Sequence, residues 1–429
     1  MKTTIVYLSI DKFLHHSSFI KMFQEEIIKN QNRIAQEIKV IPRNMVFDQE
    51  ILKLNKVISF VWPRRAGKTY YMYQVIHQLI DAWLLSIQQV VFIDFSEFIN
   101  LELDTKQLLE DYTTLYPDLQ PFFVFDEAQE IKNFRTSILK LFNDGYKIFL
   151  SGSNSKILSS ELTTHLRGRD YQYFIYPLSF GEFLRFKKIQ LPQHSTATDR
   201  GKIKSVFIEY MEYWAYPEIA IIDDKLIKQN VIKNYFDILL YKDLIERYGI
   251  GNEYVIKYLI QKILQWYTKE TSINKIHNEL KSKNIEIWKN TLYNYFEYLE
   301  NIFFIFRLKN YYSPNGQQKA YLWDTSFANI LWKEFNKGQS FENMVYLQLK
   351  RTYGDDVYYL KNWHEIDFYI PSQDLALQVC YEMDDTNQKR EIQPLLKSKH
   401  KNNKLIVFEN DNNKLDTIDY MDWIDFFVW

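Results

Sequence analysis

Glycine and cysteine are both scarce in this chain. Only 11 of its 429 residues are glycine, less than half of the roughly 7% that is usual in proteins. Few ligand loops can therefore be built from glycine, and the position of each one is informative. The single cysteine, Cys380, excludes an intramolecular disulfide and fits a reducing compartment.

The sequence also lacks an excess of either charge and lacks long apolar runs. Its 53 basic and 54 acidic residues give a net charge of −1, so no global field attracts nucleic acid or an anionic membrane. No stretch approaches the ~20 apolar residues of a membrane-spanning helix, and the first residues lack the features of a secretion signal. We therefore expect a cytoplasmic protein that does not associate with a membrane.

What the sequence does contain, up to about residue 180, is an alternation of short apolar runs and helical patterns. The apolar runs VISFV, VVFID, PFFVF, YKIFLSG and YQYFIYP are rich in β-branched and aromatic residues and are separated by helical patterns. Strands buried on both faces and joined by helices are typical of a parallel sheet. The predicted fold class is therefore α/β, with a parallel sheet at its core.

The most specific motif is WPRRAGKT, at residues 62–69, between the first strand and a helix. It matches the last three positions of the phosphate-binding loop, in which backbone N–H groups cradle phosphate oxygens. Lys68 is predicted to bridge the β- and γ-phosphates and Thr69 to ligate Mg²⁺. The residues assigned to binding ATP are Pro63, Arg64, Arg65, Ala66, Gly67, Lys68 and Thr69. Trp62 stands where the pattern has its first glycine, and a large side chain there requires a backbone without positive φ.

A second motif, FFVFDEAQ, ends a buried strand with two carboxylates. Asp126 is predicted to hold Mg²⁺ and Glu127 to orient and deprotonate the attacking water. The motif alone is equally typical of a solvated acidic turn, and the phosphate loop upstream favours the functional interpretation.

Two further candidates follow the strand IFLSG. Asn154 could contact the γ-phosphate or the water, or could simply cap the next helix. Arg169, like Arg167, could stabilise phosphoryl charge in its own subunit or a neighbouring one, or could form surface ion pairs. The sequence leaves these alternatives open.

Together these segments resemble a large prokaryotic family of AAA-type ATPases whose members carry a C-terminal domain of unknown function. The resemblance rests on WPRRAGKT, FVFDEAQ and LSGSNSKILSSELTTHLRGRDYQYFIYPLSFGEFL. It continues through EYMEYWAYPEI, LYKDLIERYGI, KAYLWDTSFANIL, FENMVYLQL and EIDFYI, and so covers nearly the whole chain. The usual loop of the family is GPRRxGKT, so Trp62 departs from it.

The resemblance implies an ATP-binding core followed by three attached parts. The predicted divisions are an N-terminal helical segment (1–50), the AAA-type core (51–190), a helical lid (203–267), a winged-helix-like segment (268–324) and a small α/β domain resembling restriction endonucleases (325–429). In the winged-helix-like segment, two amphipathic helical patterns precede two short strands around the turn SPNGQQ, which is a layout that can contact DNA.

The restriction-endonuclease likeness implies a metal site made of a helix acid, an Asp and a Glu-x-Lys pair. Glu342 and Asp367 fit the first two places, but Gln378 and Cys380 occupy those of the Glu and the Lys. Losing a carboxylate weakens a hard-cation site, so we expect inefficient or no nuclease activity. Cys380 is expected to be a buried small hydrophobe, and Lys361 is a candidate replacement for the missing lysine.

Three functions remain open at this point. The first is ATP–Mg²⁺ binding and hydrolysis that drives conformational change in the attached domains, and Glu127 favours it. The second is a nucleotide-switched module that binds DNA or an unidentified protein with little hydrolysis. The third is an ATP-controlled nuclease, which Gln378 and Cys380 argue against. AAA-type cores also suggest a homo-oligomer.

Overall fold

The computed structural model describes residues 23–61, 64–97, 102–152, 168–191, 196–213, 215–331, 335–410 and 418–428. The chain divides into two compact units, residues 1–175 and 176–429. Labels for strands and helices below follow the order of the described elements.

A five-stranded parallel sheet forms the centre of the first unit. Its strands are β1 (Val57–Val61), β2 (Val90–Asp94), β3 (Phe122–Asp126), β4 (Lys147–Gly152) and β5 (Asp170–Phe174). Their order across the sheet is β2-β3-β4-β1-β5, with every neighbouring pair parallel. The predicted parallel α/β core is confirmed. Because all strands run the same way, the loops after β1, β3 and β4 meet at one edge of the sheet.

The helices of this unit are α1 (23–32), α2 (Lys68–Asp81), α3 (Thr105–Leu115) and α4 (Phe134–Asn143). All five residues of β1 are buried, as expected of a strand covered on both faces. Aromatic rings brace it: the Phe60 ring lies 5.2 Å from that of Phe149 on β4 and 5.7 Å from that of Tyr173 on β5. The strand that leads into the phosphate loop is therefore held firmly from both sides.

The described part of the predicted N-terminal segment, 1–50, packs into the first unit, and its boundary at residue 50 stays a prediction. The Asn30 side chain donates a hydrogen bond to the carbonyl of Phe92 at 3.0 Å, and Gln31 donates to that of Val90 at 3.0 Å. Helical geometry ends with a π-helical turn at Arg33–Glu37. These polar side chains satisfy backbone groups of β2, which anchors α1 to the sheet.

The second unit, residues 176–429 and called unit 2 below, begins with helices and ends with a second sheet. The first helices are α5 (Phe180–Phe186), α6 (Ala197–Tyr213), α7 (Pro217–Ala220), α8 (Lys225–Ile238) and α9 (Glu253–Trp266). A helix–hairpin segment follows, with β6 (Glu270–Thr271), α10 (Ile273–Ser282), α11 (Lys289–Asn301), β7 (Ile305–Lys309) and β8 (Gln318–Leu322). Its strands form an antiparallel sheet in the order β6-β8-β7. The two helices and the hairpin predicted from the sequence are confirmed.

The rest of unit 2 comprises α12 (Thr325–Leu331), α13 (Lys337–Tyr353), β9 (Tyr358–Lys361), β10 (Glu365–Ile370), β11 (Leu375–Met383), α14 (Gln388–Leu396), β12 (Asn402–Asn410), β13 (Asp419–Asp422) and α15 (Trp423–Val428). The sheet order is β13-β12-β11-β10-β9, antiparallel from β9 to β11 and parallel from β11 to β13. The Asn343 side chain on α13 bonds both backbone groups of Leu322 on β8, at 2.7 and 2.8 Å. The hairpin is thus attached to α13 inside one compact unit, and the predicted boundaries at 267 and 324 stay predictions.

Candidate functional site

The phosphate loop occupies the edge of the first sheet at the end of β1. Trp62 and Pro63 lie outside the described residues. Beyond them, Arg65 and Gly67 have φ angles of 72° and 89°, in the left-handed region. Helix α2 begins at Lys68, and the amide of Tyr71 bonds the Gly67 carbonyl at 2.9 Å. A left-handed turn that opens a helix N-terminus presents backbone N–H groups to an anion. Arg65 adopts this conformation without being glycine, and such strain concentrates at ligand sites.

Lys68 and Glu127 face each other across this edge. The Lys68 side chain is only 4% exposed, and its Nζ lies 4.0 Å from Oε1 of Glu127. Gln129 donates a hydrogen bond to the other oxygen of Glu127. Glu127 also has a left-handed backbone, with φ of 48°. The predicted phosphate-binding ammonium and the predicted base are therefore brought together, and Gln129 helps to orient the base.

Thr69, Asp126 and Ser151 form a hydrogen-bonded cluster beside them. The hydroxyl of Thr69 donates to one carboxylate oxygen of Asp126, and the hydroxyl of Ser151 donates to the other. The backbone N–H of Glu127 lies 3.1 Å from Oδ1 of Asp126 and 3.1 Å from Oγ of Ser151. The hard oxygens of Thr69 and Asp126 are adjacent, which is the donor set that suits Mg²⁺ bound jointly with substrate phosphates.

The environment of Asp126 works against its ionisation. Burial, followed by the charge of neighbouring Glu127, raises the pKa of Asp126 to about 6, while the hydrogen bonds from Ser151 and Thr69 act in the opposite direction. A divalent cation at this position would favour the ionised carboxylate. Metal affinity at the site should therefore increase as the pH rises through about 6.

Sequence reasoning missed two residues that complete the site. Ser151 is the polar residue near the end of the apolar run IFLSG. A polar side chain at the end of this strand is a recognisable pattern, but the sequence prediction placed the contact at Asn154, further along the chain. No sequence motif includes Arg43. In the structure it is 8% exposed, and its guanidinium donates a hydrogen bond to the carbonyl of Ala66 in the phosphate loop at 3.2 Å. Its backbone N–H and carbonyl bond the Gln74 side chain at 2.8 and 3.2 Å. The segment before β1 thus braces the loop.

The remaining predicted residues of this site are placed differently. Arg64 lies 3.6 Å from Glu130, beside the acidic motif. Asn154 and Arg167 fall outside the described residues. Arg169 is exposed, and its carbonyl bonds the amide of Val57 at the beginning of β1. Since the phosphate loop follows the end of β1, about 13 Å further along the strand, the structure does not bring Arg169 to the site within its own subunit.

In unit 2, two of the predicted nuclease-like residues come together around an unpredicted lysine. Lys319 lies 3.6 Å from Glu342 and 3.5 Å from Asp367. The Gln378 side chain accepts a hydrogen bond from the Asp367 amide at 3.3 Å. Cys380 is 6% exposed within the hydrophobic core of the sheet, as expected of a small buried hydrophobe.

Lys361, the predicted substitute lysine, instead bonds Glu270 at 2.8 Å. Within the described ranges, no group of three or more His, Cys, Asp or Glu side chains is arranged to hold a metal ion. None of the described helices is both long enough and apolar enough to cross a membrane.

Several known families and proteins are similar to this chain. Residues 54–184 match the model of a family described as an AAA domain, and residues 204–338 match that of a domain of unknown function. An uncharacterized protein of Methanocaldococcus jannaschii is 34% identical over 427 residues, which cover 95% of this chain and 94% of that protein. An uncharacterized protein of Haemophilus influenzae is 27% identical, over 86% of this chain and 94% of its own length.

Among solved structures, a Walker-type ATPase of Pyrococcus abyssi has 16% identity and a TM-score of 0.43, covering 70% of this chain and 99% of its own. The Orc1 protein of Aeropyrum pernix, solved in complex with DNA, has 9% identity and a TM-score of 0.30, covering 75% and 92%. The sequence identity to the archaeal relative spans nearly the full length of both chains. This chain therefore belongs to the same family as the uncharacterized M. jannaschii protein, and its residues 54–184 form an AAA-type domain with a phosphate-binding loop.

Proposed function

We propose that the AAA domain binds ATP with Mg²⁺ and hydrolyses it, and that the cycle drives conformational change in unit 2. The observation that carries the proposal is the chain of contacts at the edge of the first sheet. It links Thr69, Asp126 and Ser151 and leads to Glu127, which lies 4.0 Å from Lys68. The residues predicted to bind phosphate, to hold the metal and to act as the base thus lie together, which supports the proposal.

Each residue has a distinct part in the proposed reaction. Lys68 and the backbone N–H groups of residues 64–69 hold the phosphates, while Thr69 and Asp126 hold the cation. The Glu127 carboxylate accepts a proton from the attacking water, and Gln129 keeps that carboxylate oriented. When bound, Mg²⁺ supplies charge neutralisation on the phosphate oxygens.

The test is phosphate release by the full-length protein, measured with and without Mg²⁺ and with and without duplex DNA. Mg²⁺-dependent turnover is expected, together with loss of nucleotide binding in Lys68→Ala. Arg135→Ala, an exposed position on α4 outside the loop, is the control and should retain binding. Absence of turnover under all conditions, with nucleotide still bound, would favour a switch over a hydrolase.

A second candidate function is DNA binding through the helix–hairpin segment. The exposed positions of α11 are Lys289, Asn290, Tyr293, Asn294 and Glu297, and Trp288, just before the helix, is 84% exposed. A helix face that offers lysine and asparagine side chains has the donors and acceptors that contact phosphates and base edges. This face favours treating the segment as a winged helix whose second helix approaches DNA.

Fluorescence anisotropy with duplex DNA tests this candidate. Asn294→Asp on α11 should weaken binding because it places a carboxylate next to the phosphate backbone. Asn230→Asp makes the same chemical change at an exposed position of α8, outside the segment, and should have a smaller effect. Equal loss in both variants would point to a general charge effect instead of a docking face.

We also propose that the protein forms an oligomer in which Arg169 of one subunit acts at the nucleotide site of a neighbouring copy. Arg169 is exposed and lies away from the phosphate loop of its own subunit, so its proposed contact with phosphoryl charge would be made in a neighbouring copy. Light scattering with a non-hydrolysable ATP analogue should show an oligomer that Arg169→Ala weakens. A protein that stays monomeric with the analogue would contradict this.

A further inference from the structure

Lys319 is a lysine buried in unit 2 among three carboxylates. It lies on β8, and its side chain is 3% exposed. Its Nζ is 2.8 Å from Glu365, 3.5 Å from Asp367 and 3.6 Å from Glu342. These carboxylates come from β10 and α13, so elements far apart in the sequence converge on one ammonium. Buried lysines are rare unless they are paired, and this one has three partners.

The carboxylates are themselves held in place. Asp367 accepts a hydrogen bond from the Val379 amide at 3.0 Å, and Glu342 accepts one from the Tyr321 hydroxyl at 2.7 Å. Glu365 also pairs with Lys361 at 3.5 Å. The three carboxylates approach one point, and carboxylate oxygens are the ligands that hard cations prefer. Here that point is occupied by the ammonium group.

The neighbouring acidic group is neutralised separately. Glu391 accepts hydrogen bonds from the Gln378 amide at 2.9 Å and from the Arg390 guanidinium at 2.6 and 2.9 Å. A cavity of about 910 Å³ opens onto both clusters, and its lining includes Lys319, Glu342, Asp367 and Glu391. Each carboxylate on its floor therefore has a cationic or amide partner from the protein.

We propose that the Lys319 ammonium stands in place of a divalent cation, which makes the cavity of unit 2 a metal-independent site. A metal ion can dissociate from its site, whereas the Lys319 side chain is covalently attached to the protein. The positive charge therefore stays in the cavity. This inference concerns unit 2 alone and does not depend on ATP hydrolysis by the AAA domain.

The charges of Lys319 and Glu365 agree with this assignment, whereas burial raises the pKa of Asp367 to about 7. Burial alone would lower the pKa of Lys319, but the charges of Glu342, Asp367 and Glu365 outweigh it and raise that pKa. Burial also has the largest effect on Glu365, yet Lys319 and Lys361 overcome it and lower the pKa of Glu365. The ammonium is therefore charged at neutral pH, as a stand-in for a cation must be.

The test is terbium binding by the nucleotide-free full-length protein, followed by luminescence sensitised by aromatic side chains. Lys319→Met removes the ammonium and leaves three carboxylates directed at one point. Lys361→Met is the matched control, since it removes a cation from Glu365 without vacating the central position. The carboxylates of the AAA domain are the same in all variants and contribute an equal background.

Lys319→Met should gain about one terbium ion per chain that wild type does not bind, because three carboxylates lose their shared ammonium partner. Lys361→Met should not gain it, and Lys319→Met combined with Asp367→Asn should lose it. A folded Lys319→Met protein without an added site would overturn the proposal. So would a wild-type site that Asp367→Asn abolishes.

Should Lys319→Met fail to fold, circular dichroism during refolding in Ca²⁺ decides the matter. Recovery of the native spectrum only when Ca²⁺ is present would support the proposal, because the cation then replaces the missing ammonium. An equally unfolded protein with and without Ca²⁺ would overturn it.

Discussion

Replacing Ser151 with alanine should selectively impair the metal-dependent part of nucleotide binding. The Ser151 hydroxyl is fully buried, donates to Asp126 and accepts from the Glu127 amide at 3.1 Å. A hydrogen bond to a charged group contributes about 1.5–3 kcal/mol. The bond favours the ionised form of Asp126 that binds the cation, so at 1.4 kcal/mol per factor of ten its loss corresponds to about ten-fold in affinity for the cation.

The pKa of Asp126 determines how the lost affinity should depend on pH. The hydrogen bond from Ser151 lowers the pKa of Asp126, which burial has already raised to about 6. Without that bond the pKa rises further, so a smaller fraction of Asp126 is ionised at pH 7, and the cation binds the ionised form. Raising the pH to 8 should recover part of the lost affinity.

The assay is titration of a fluorescent ATP analogue in Mg²⁺ and, separately, in EDTA. Ser151→Ala should weaken binding about ten-fold in Mg²⁺, with little change in EDTA because Lys68 and the loop are untouched. Ser59→Ala is the control: Ser59 is fully buried on β1, and its hydroxyl has no hydrogen-bond partner in the described part of the chain. Equal losses in both variants, or a loss that persists in EDTA, would refute the assigned role of Ser151.

Two further predictions concern one buried group in each unit. Arg43→Met removes the hydrogen bond to the Ala66 carbonyl. Because such a bond contributes ~1 kcal/mol, nucleotide binding should weaken about five-fold. Calorimetry that finds unchanged affinity would show that the brace is dispensable. Burial raises the pKa of Asp324 from 3.8 to about 7, so its contribution to stability is fully present below pH 4 and is lost as the pH rises through about 7. Asp324→Asn, which can keep accepting the 2.8 Å bond from the Ser326 amide, should therefore lose less stability than wild type between pH 5 and 8. Parallel urea denaturation curves for the two proteins across that range would contradict the assignment.

The local parts of the fold and site were predictable from the sequence, and the long-range parts were not. Apolar runs bounded by helical patterns identified all five strands of the first sheet, and Lys68, Thr69, Asp126 and Glu127 followed from motifs with their own local signatures. Arg43 acts on a carbonyl 23 residues away. No local pattern marks a residue whose partner is fixed only by tertiary packing, and for the same reason the hydrogen bonds from α1 to β2 were not predictable.

Lys319 shows the same limit in unit 2. The sequence indicated that Gln378 and Cys380 had replaced the usual Glu and Lys, but not where a replacement charge would come from. Lys361, the candidate replacement on another strand, bonds Glu270. The lysine that does meet Asp367 lies 48 residues upstream, on the hairpin. Its position depends on how β8 packs against α13, which the pattern of neither element specifies.

The most direct test of the central claim is the behaviour of Glu127→Gln. The account predicts that this variant binds Mg²⁺–ATP with an affinity close to that of wild type, since Lys68, Thr69 and Asp126 remain. Its single-turnover rate should fall by about a hundred-fold or more, the usual contribution of a general base. An unchanged rate would contradict the assignment of Glu127 as the base, and hence the proposed mechanism of hydrolysis.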